Sequence, residues 1–211
     1  MKTSRIILLN ILILVIIAGA GLGGYAYYNH TVNYVSTDDA KVKGDITPVA
    51  AHTAGKLVSW KGEEGKKFDE GDVIGKIKGA SGTSSIKASV DGTMIRNQVK
   101  EGQMVAAGQN LGSVTDMDKL YIEANIEETD LEDVKKGANV DIVIDANENT
   151  KIEGEVEEIG LATAATFSIM PDQNASGDYT KTVQRVPVRI SMDNIPSEAV
   201  PGLNASVEID R

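Results

Sequence analysis

The sequence predicts a mainly β chain: a small β-sandwich of two like halves, then a small β-barrel with one short helix, both behind a single N-terminal transmembrane helix. Three observations carry this. Residues 54–114 contain one glycine-punctuated pattern twice. Beyond Leu120, apolar and polar residues alternate with a period of two. Near the N-terminus lies an uncharged apolar stretch.

Lys2 and Arg5 precede that stretch, and no charged residue occurs from Ile6 to Tyr28. A helix rising ~1.5 Å per residue over those positions is long enough for a ~30 Å hydrocarbon core. Eleven Ile, Leu and Val residues between Ile6 and Ile17 favour insertion by about 3–6 kcal/mol, against the single Asn10. Tyr25, Tyr27 and Tyr28 stand where an interfacial aromatic belt would. The two cations put the N-terminus in the cytoplasm and the bulk outside. The alternative is a signal peptide cleaved near Ala18-Gly19-Ala20. Gly19 and Gly23 form a GxxxG pair, a spacing that lets two helices approach. The resulting division is 1–5 cytoplasmic tip, 6–28 transmembrane helix, 29–45 linker and first barrel strand, 46–116 sandwich and 117–211 barrel.

The organising repeat reads AGKLVSWKGEEGKKFDEGDVIGKI from Ala54 and DGTMIRNQVKEGQMVAAGQNLGSV from Asp91. Gly55, Gly65, Gly71 and Gly75 match Gly92, Gly102, Gly108 and Gly112, each offset by 37 residues without a gap. Phe68, Ile74 and Ile77 fall on Val105, Leu111 and Val114. Two copies are too few for a solenoid and suit two β-halves about a pseudo-two-fold axis. Short apolar pairs separated by EG, EGD or AGQ are strands joined by turns, and glycine supplies the positive φ that tight turns need.

From Leu120 the strands are legible by their faces: Ile122, Ala124 and Ile126; Val140, Ile142 and Ile144; Val186, Val188, Ile190 and Met192; Ala205, Val207 and Ile209. Gly154 marks a bulge, and Pro187 requires an edge or an outward-turned nitrogen. ETDLEDVKKG predicts the one short helix, with Thr129 as N-cap, Glu132 three residues on and Gly137 as the stop. Leu131 and Val134 would plug one barrel end. The stretch 160–181 has no period. Its Phe167, Ile169, Met170 and Tyr179 give it apolar content, which suits a lid folded over the barrel end or a short irregular strand. Loops that long are also often functional, and Phe167, Met170 and Tyr179 are candidates for a partner-facing loop.

Chemistry is hard to place in this chain. There is no cysteine, hence no disulfide, thiolate nucleophile or cysteine-based zinc site. The only histidines, His30 and His52, are far apart, and Asp38-Asp39 has no recognisable partner element. No nucleophile motif such as GxSxG occurs. A net charge of −10 argues against nucleic acid. No catalytic, cofactor-binding or metal-ligating residue is expected.

The paired halves resemble the lipoyl/biotinyl-type barrel sandwich. In carriers of that family a modified lysine sits at the tip between the halves. Here that position falls near Ser81, within KGASGTSSIKAS, and Lys78 and Lys87 lack the carrier's flanking residues. YVSTDDAKVKGDITPVAAHTAGKL resembles the segment that leads into this domain in HlyD/EmrA-type membrane fusion proteins. FSIMPDQNASGDYTKTVQRVPVRI, VKKGANVDIVIDA and PGLNASVEID are similar to the barrel of EmrA-type members. The resemblance covers about residues 34–211. It implies a non-catalytic, membrane-anchored adaptor of an export or multidrug efflux system. It also implies a transporter in the same membrane, a major facilitator drug antiporter first and an ABC exporter second, and oligomers are compatible with it. Gram-negative members insert a long α-helical hairpin between the halves. Only eight residues separate Ile77 from Ile86 here, too few for two helices at ~1.5 Å per residue. That points to a host with no outer membrane to bridge, such as a Gram-positive bacterium. The alternatives are a lipoyl- or biotinyl-type carrier subunit and an extracellular binding protein.

Overall fold

The structure, a computed structural model, describes residues 12–25, 33–80, 82–147, 150–167 and 183–211. Residues 12–25 are helical and exposed, with Leu14, Ile16, Ile17 and Leu22 open to the surroundings. Among the described residues, no helix is long and apolar enough to cross a membrane. The expected span of 6–28 extends past the described residues at both ends.

The chain beyond is β structure around two separate apolar cores. Strand β1 (Tyr34–Lys43) opens the barrel. The sandwich follows: β2 (Ile46–Ala50), β3 (Gly55–Trp60), β4 (Lys67–Phe68), β5 (Val73–Gly79), β6 (Gly82–Lys87), β7 (Gly92–Asn97), β8 (Met104–Val105) and β9 (Asn110–Thr115). Its two sheets have the orders β2-β9-β7-β4 and β6-β5-β3-β8. Moving 37 residues along the chain takes β2, β3, β4 and β5 onto β6, β7, β8 and β9, so each sheet maps onto the other.

The correspondence extends to single bonds. Ala51 N donates to Gln109 O as Ala88 N does to Asp72 O, both at 2.9 Å. Gly65 N donates to Met94 O at 2.8 Å and Gly102 N to Leu57 O at 2.7 Å. The β3–β5 register slips between Leu57 and Ser59, and β7–β9 slips between the equivalent Met94 and Arg96. Leu57, Ile74 and Ile77 and their mates Met94, Leu111 and Val114 are all buried in one core. Trp60 Nε1 donates to Asn97 Oδ1 at 3.1 Å, a bond across the axis between two equivalent positions.

The matched glycines divide into two kinds. Gly65, Gly102, Gly71 and Gly108 have φ between +80° and +88° with open space beside them. Gly55 and Gly92 are instead demanded by close approach: a Cβ would lie 2.4 Å from Lys78 O and 2.5 Å from Thr115 O. Gly75 and Gly112 are similar, with Ser59 O and Arg96 O at 2.9 and 2.7 Å. Turn conformation therefore accounts for only half of the register.

The barrel adds β10 (Tyr121–Glu127), β11 (Asn139–Ile144), β12 (Lys151–Ile159), β13 (Arg185–Ile190) and β14 (Asn204–Asp210). With β1 they close in the order β1-β10-β13-β12-β11-β14. Every alternating apolar residue expected from the sequence is buried, and all but Val186 join the barrel core, as period-two strands with one buried face require.

Three local expectations change. The element over 129–137 is a single 3-10 turn, Leu131–Asp133, entered from Asp130 rather than capped by Thr129. Val134, which follows the turn, is already extended (φ −89°, ψ 126°) and is buried in the barrel core, so the helix does not continue. Gly154 is not at a bulge. It pairs regularly with Val140 while the register of β12 against β13 shifts between Val156 and Glu158. Gly154 is required because the backbone of Ser191 crosses it, leaving 2.0 Å from a Cβ to Ser191 O. Pro187 lies in a strand paired on both sides. Its carbonyl accepts from Gly160 N at 2.8 Å, just past the end of β12. Its nitrogen faces that same side, so the bond proline cannot donate is missing just past the end of β12 and the pairing with β10 is untouched.

Candidate functional site

Three places on this scaffold could act on a partner: the free tip of the sandwich, the joint between the units, and the far end of the barrel. The tip is a hairpin in which Gly79 pairs with Gly82, so Ala80 and Ser81 alone connect β5 to β6. Gly82 takes φ +124° to make that connection. A Cβ on Gly79 would come within 2.8 Å of Ala54 O. Ser81, the expected carrier position, lies outside the described residues, and the connection itself contains no amine. Lys78 and Lys87 lie within the paired strands, not in the turn.

The joint consists of Gly44-Asp45 and the 3-10 turn Met117–Lys119. Thr115, fully buried, donates from Oγ1 to Asp45 O at 3.0 Å. A Cβ on Gly44 would stand 2.7 and 2.8 Å from Leu120 Cδ2 and Thr115 Oγ1, so those side chains would have to shift to admit it. Asp116 caps the turn by accepting from Asp118 N at 3.0 Å and pairs with Lys119 at 2.9 Å. The hydrogen bond from Lys119, with that from Asp118 behind it, holds the Asp116 carboxyl below its usual pKa. Arg189 stacks 3.5 Å above the Tyr121 ring, bonds Glu157 at 2.9 Å and reaches Asp45 at 4.0 Å, linking barrel to joint.

At the far barrel end, two motifs separated by more than a hundred residues come together. Thr37-Asp38-Asp39-Ala40 forms a bulge, where Thr37 faces Val207 but Ala40 already faces Ala205. Thr37 Oγ1 shapes it, donating to Asn125 O at 3.3 Å and accepting from Asp39 N at 3.1 Å. Asp39 then ion-pairs with Arg185, the first residue of RVPVRI, which also approaches Glu127 at 3.5 Å. Asp39, then Glu127, hold the guanidinium pKa above its ordinary value. Beside this corner runs a groove of about 520 Å3 lined by Thr37, Asp38, Glu127, Asp130, Arg185 and Glu208. Nothing in sequence spacing signals the Arg185–Asp39 pair. The only hint is a cation and a carboxylate inside two motifs of one family.

The other candidates do not converge on a reaction centre. His52 is exposed in a bend after β2, and His30 lies outside the described residues. Asp38-Asp39 serves the bulge. Among the described residues no cluster of His, Cys, Asp and Glu could hold a metal ion. Phe167 ends the 3-10 turn Ala164–Phe167, while Met170 and Tyr179 lie outside the described residues.

Residues 45–116 match the family model of the YhbJ barrel-sandwich hybrid domain, and residues 119–210 match the AAEA-like β-barrel domain. A relative from Bacillus subtilis (strain 168), named as an efflux system component, YhbJ, is 47% identical over 99% of this chain and 94% of its own length. The multidrug export protein EmrA of Haemophilus influenzae is 35% identical over 60% of this chain but only 33% of its own length. This chain therefore spans nearly all of the first relative and about a third of the second. The solved structure of the periplasmic adaptor protein EmrA shares the fold, with TM-score 0.57 at 13% identity over 85% of this chain and 99% of that one. A two-half sandwich joined to a closed six-stranded barrel, matched along its length at these identities, places the chain in the EmrA/YhbJ family of efflux membrane fusion proteins.

Proposed function

We propose that this protein is the non-catalytic adaptor of an export system. A single span at residues 6–28 anchors it in the cell membrane, N-terminus inside and bulk outside, beside a transporter in that membrane. A major facilitator drug antiporter is the first partner and an ABC exporter the second. The observation that carries this reading is the unit order: a sandwich whose tip closes in two residues, followed by a closed barrel, the arrangement shared with an efflux component of nearly the same length. Such a molecule acts by shape and placement. It holds a rigid sandwich and barrel above a pump without forming or breaking a bond. We assign the segment holding Phe167, Met170 and Tyr179, which precedes Arg185 in the chain, to the partner-facing side. The short tip supports a host without an outer membrane.

Co-purification tests this directly. Tagged full-length chain, extracted in mild detergent, should bring down a transporter identified by mass spectrometry. Recovery of an antiporter supports the first partner and of an ABC protein the second. Recovery of no transporter sinks the adaptor reading. Intact mass addresses the carrier alternative, which requires a lipoyl- or biotin-sized increment.

A further inference from the structure

The sandwich contains its own control experiment, because its two sheets share one fold and one core. What one outer face carries and the other lacks is not needed for folding. The outer face of β6-β5-β3-β8 carries Lys56, Lys76, Lys78 and Lys87, all exposed, and no acid lies in its strands. The equivalent positions of the other sheet are Thr93, Ser113 and Ala50, half-buried, and Thr115, buried, so the fold itself calls for no lysine there. That sheet's own cations are Lys67 and Arg96, and Lys67 faces Asp69, Asp91, Asp116 and Asp118 across a shared cleft. None of the four lysines takes part in an ion pair among the described residues.

Their arrangement is unfavourable for the isolated protein. Lys56 and Lys78 are direct cross-strand partners, about 5 Å apart at Cα, where like charges repel. Lys76 follows Lys78 on the same strand face at ~6.6 Å. Lys78 and Lys76 face Thr83 and Ser85 across β6. The result is a strip of positive charge, edged with hydroxyls, on a chain of net charge −10. We propose that this face is a docking surface for a linear polyanion, a flexible polymer bearing repeated phosphates.

The chemistry selects that occupant. A pleated sheet face has no concavity, so a single phosphate meets one or two lysines and gains little, whereas a polymer engages the whole strip at once. Lysine offers a mobile point charge suited to phosphate, while protein–protein contacts are depleted in it. The acids of a second copy are poorly placed to cover the strip. The row Glu208, Asp141, Glu153, joined by direct cross-strand pairing, lies on the barrel, and copies anchored as proposed above hold barrel beside barrel; the sandwich acids Asp69, Asp91, Asp116 and Asp118 already face Lys67. With the anchor proposed above, a lipid surface is also remote, since the 10 residues of β1 lie between the anchor side and the sandwich, about 25 Å along the axis of a barrel with tilted strands.

The test uses the full-length protein in phosphatidylcholine nanodiscs, with linear inorganic polyphosphate as probe. Binding is read by fluorescence anisotropy of labelled polymer across a salt series. Wild type should bind at low salt and release as salt rises. The triple variant Lys56→Gln/Lys76→Gln/Lys78→Gln should bind at least tenfold more weakly, with a log K versus log salt slope shallower by about 2. The control Lys67→Gln/Arg96→Gln on the sister sheet should bind as wild type does, with circular dichroism confirming that both variants fold. No polymer binding, equal binding by the triple variant, or equal loss in the control each overturns the proposal. It also falls if inorganic phosphate or phosphatidylglycerol vesicles compete as well as the polymer does. A change in oligomeric mass on substitution, with polymer binding unchanged, would make the face a contact between copies instead.

Discussion

Replacing Gly154 with alanine should destabilise the barrel while sparing the sandwich. The new Cβ would stand 2.0 Å from Ser191 O and 2.9 Å from Ile142 Cδ1. Backbone cannot rotate aside as a side chain can, so the 191–193 segment must lift off β12. That stretches two bonds, Ser191 N to Glu155 O at 2.9 Å and Asp193 N to Glu153 O at 3.0 Å. Overpacking costs ~1–3 kcal/mol and each weakened bond ~1, so the expected loss is about 3 kcal/mol. For a unit of this size, that lowers the barrel's midpoint by about 12–24 °C. The assay separates the two units. Trp60, the only tryptophan, sits against the sandwich core and reports it by fluorescence. Hydrogen exchange of peptides from β11 and β13 reports the barrel. Gly65→Ala serves as the mirror experiment: its site is open but has φ +85°, so only ~1–2 kcal/mol of conformational strain should appear, in the Trp60 signal alone. A barrel shift under about 4 °C, or ~1 kcal/mol, in Gly154→Ala would refute the argument, as would an equal shift of Trp60.

Ile74→Ala and Leu111→Ala remove equivalent, fully buried side chains; each should cost about 2–5 kcal/mol, and similar amounts, by urea unfolding followed at Trp60. A large inequality would show the two halves to be packed differently. A double-mutant cycle on Asp39 and Arg185, both partly exposed, should return a coupling below ~1 kcal/mol in thermal unfolding, and co-purification of the transporter should respond more than stability does. Asp116 has a depressed pKa through its bond from Lys119. Its contribution is therefore fully present above the unfolded carboxyl pKa and is lost as pH falls through the lower folded value. Asp116→Asn should flatten the acid limb of the stability–pH profile, and an unchanged limb would exclude the link.

The sequence by itself determined the repeat, the faces and the family motifs, because these are written in local terms. A strand shows its buried side through a period of two, and a duplicated sandwich shows its symmetry through one constant offset. Partnership is a different kind of information. Alternation in Ile122–Ile126 says which side is buried but not that the strand lies between β1 and β13, since pairing is set by closure of the whole barrel. Only the tertiary structure brought Asp39 to Arg185, divided eight matched glycines into turns and close approaches, and reduced the expected helix to one 3-10 turn around Val134. It also gathered four lysines from three strands onto one face, a cluster that exists only after the pleat has sorted each strand's residues to one side or the other.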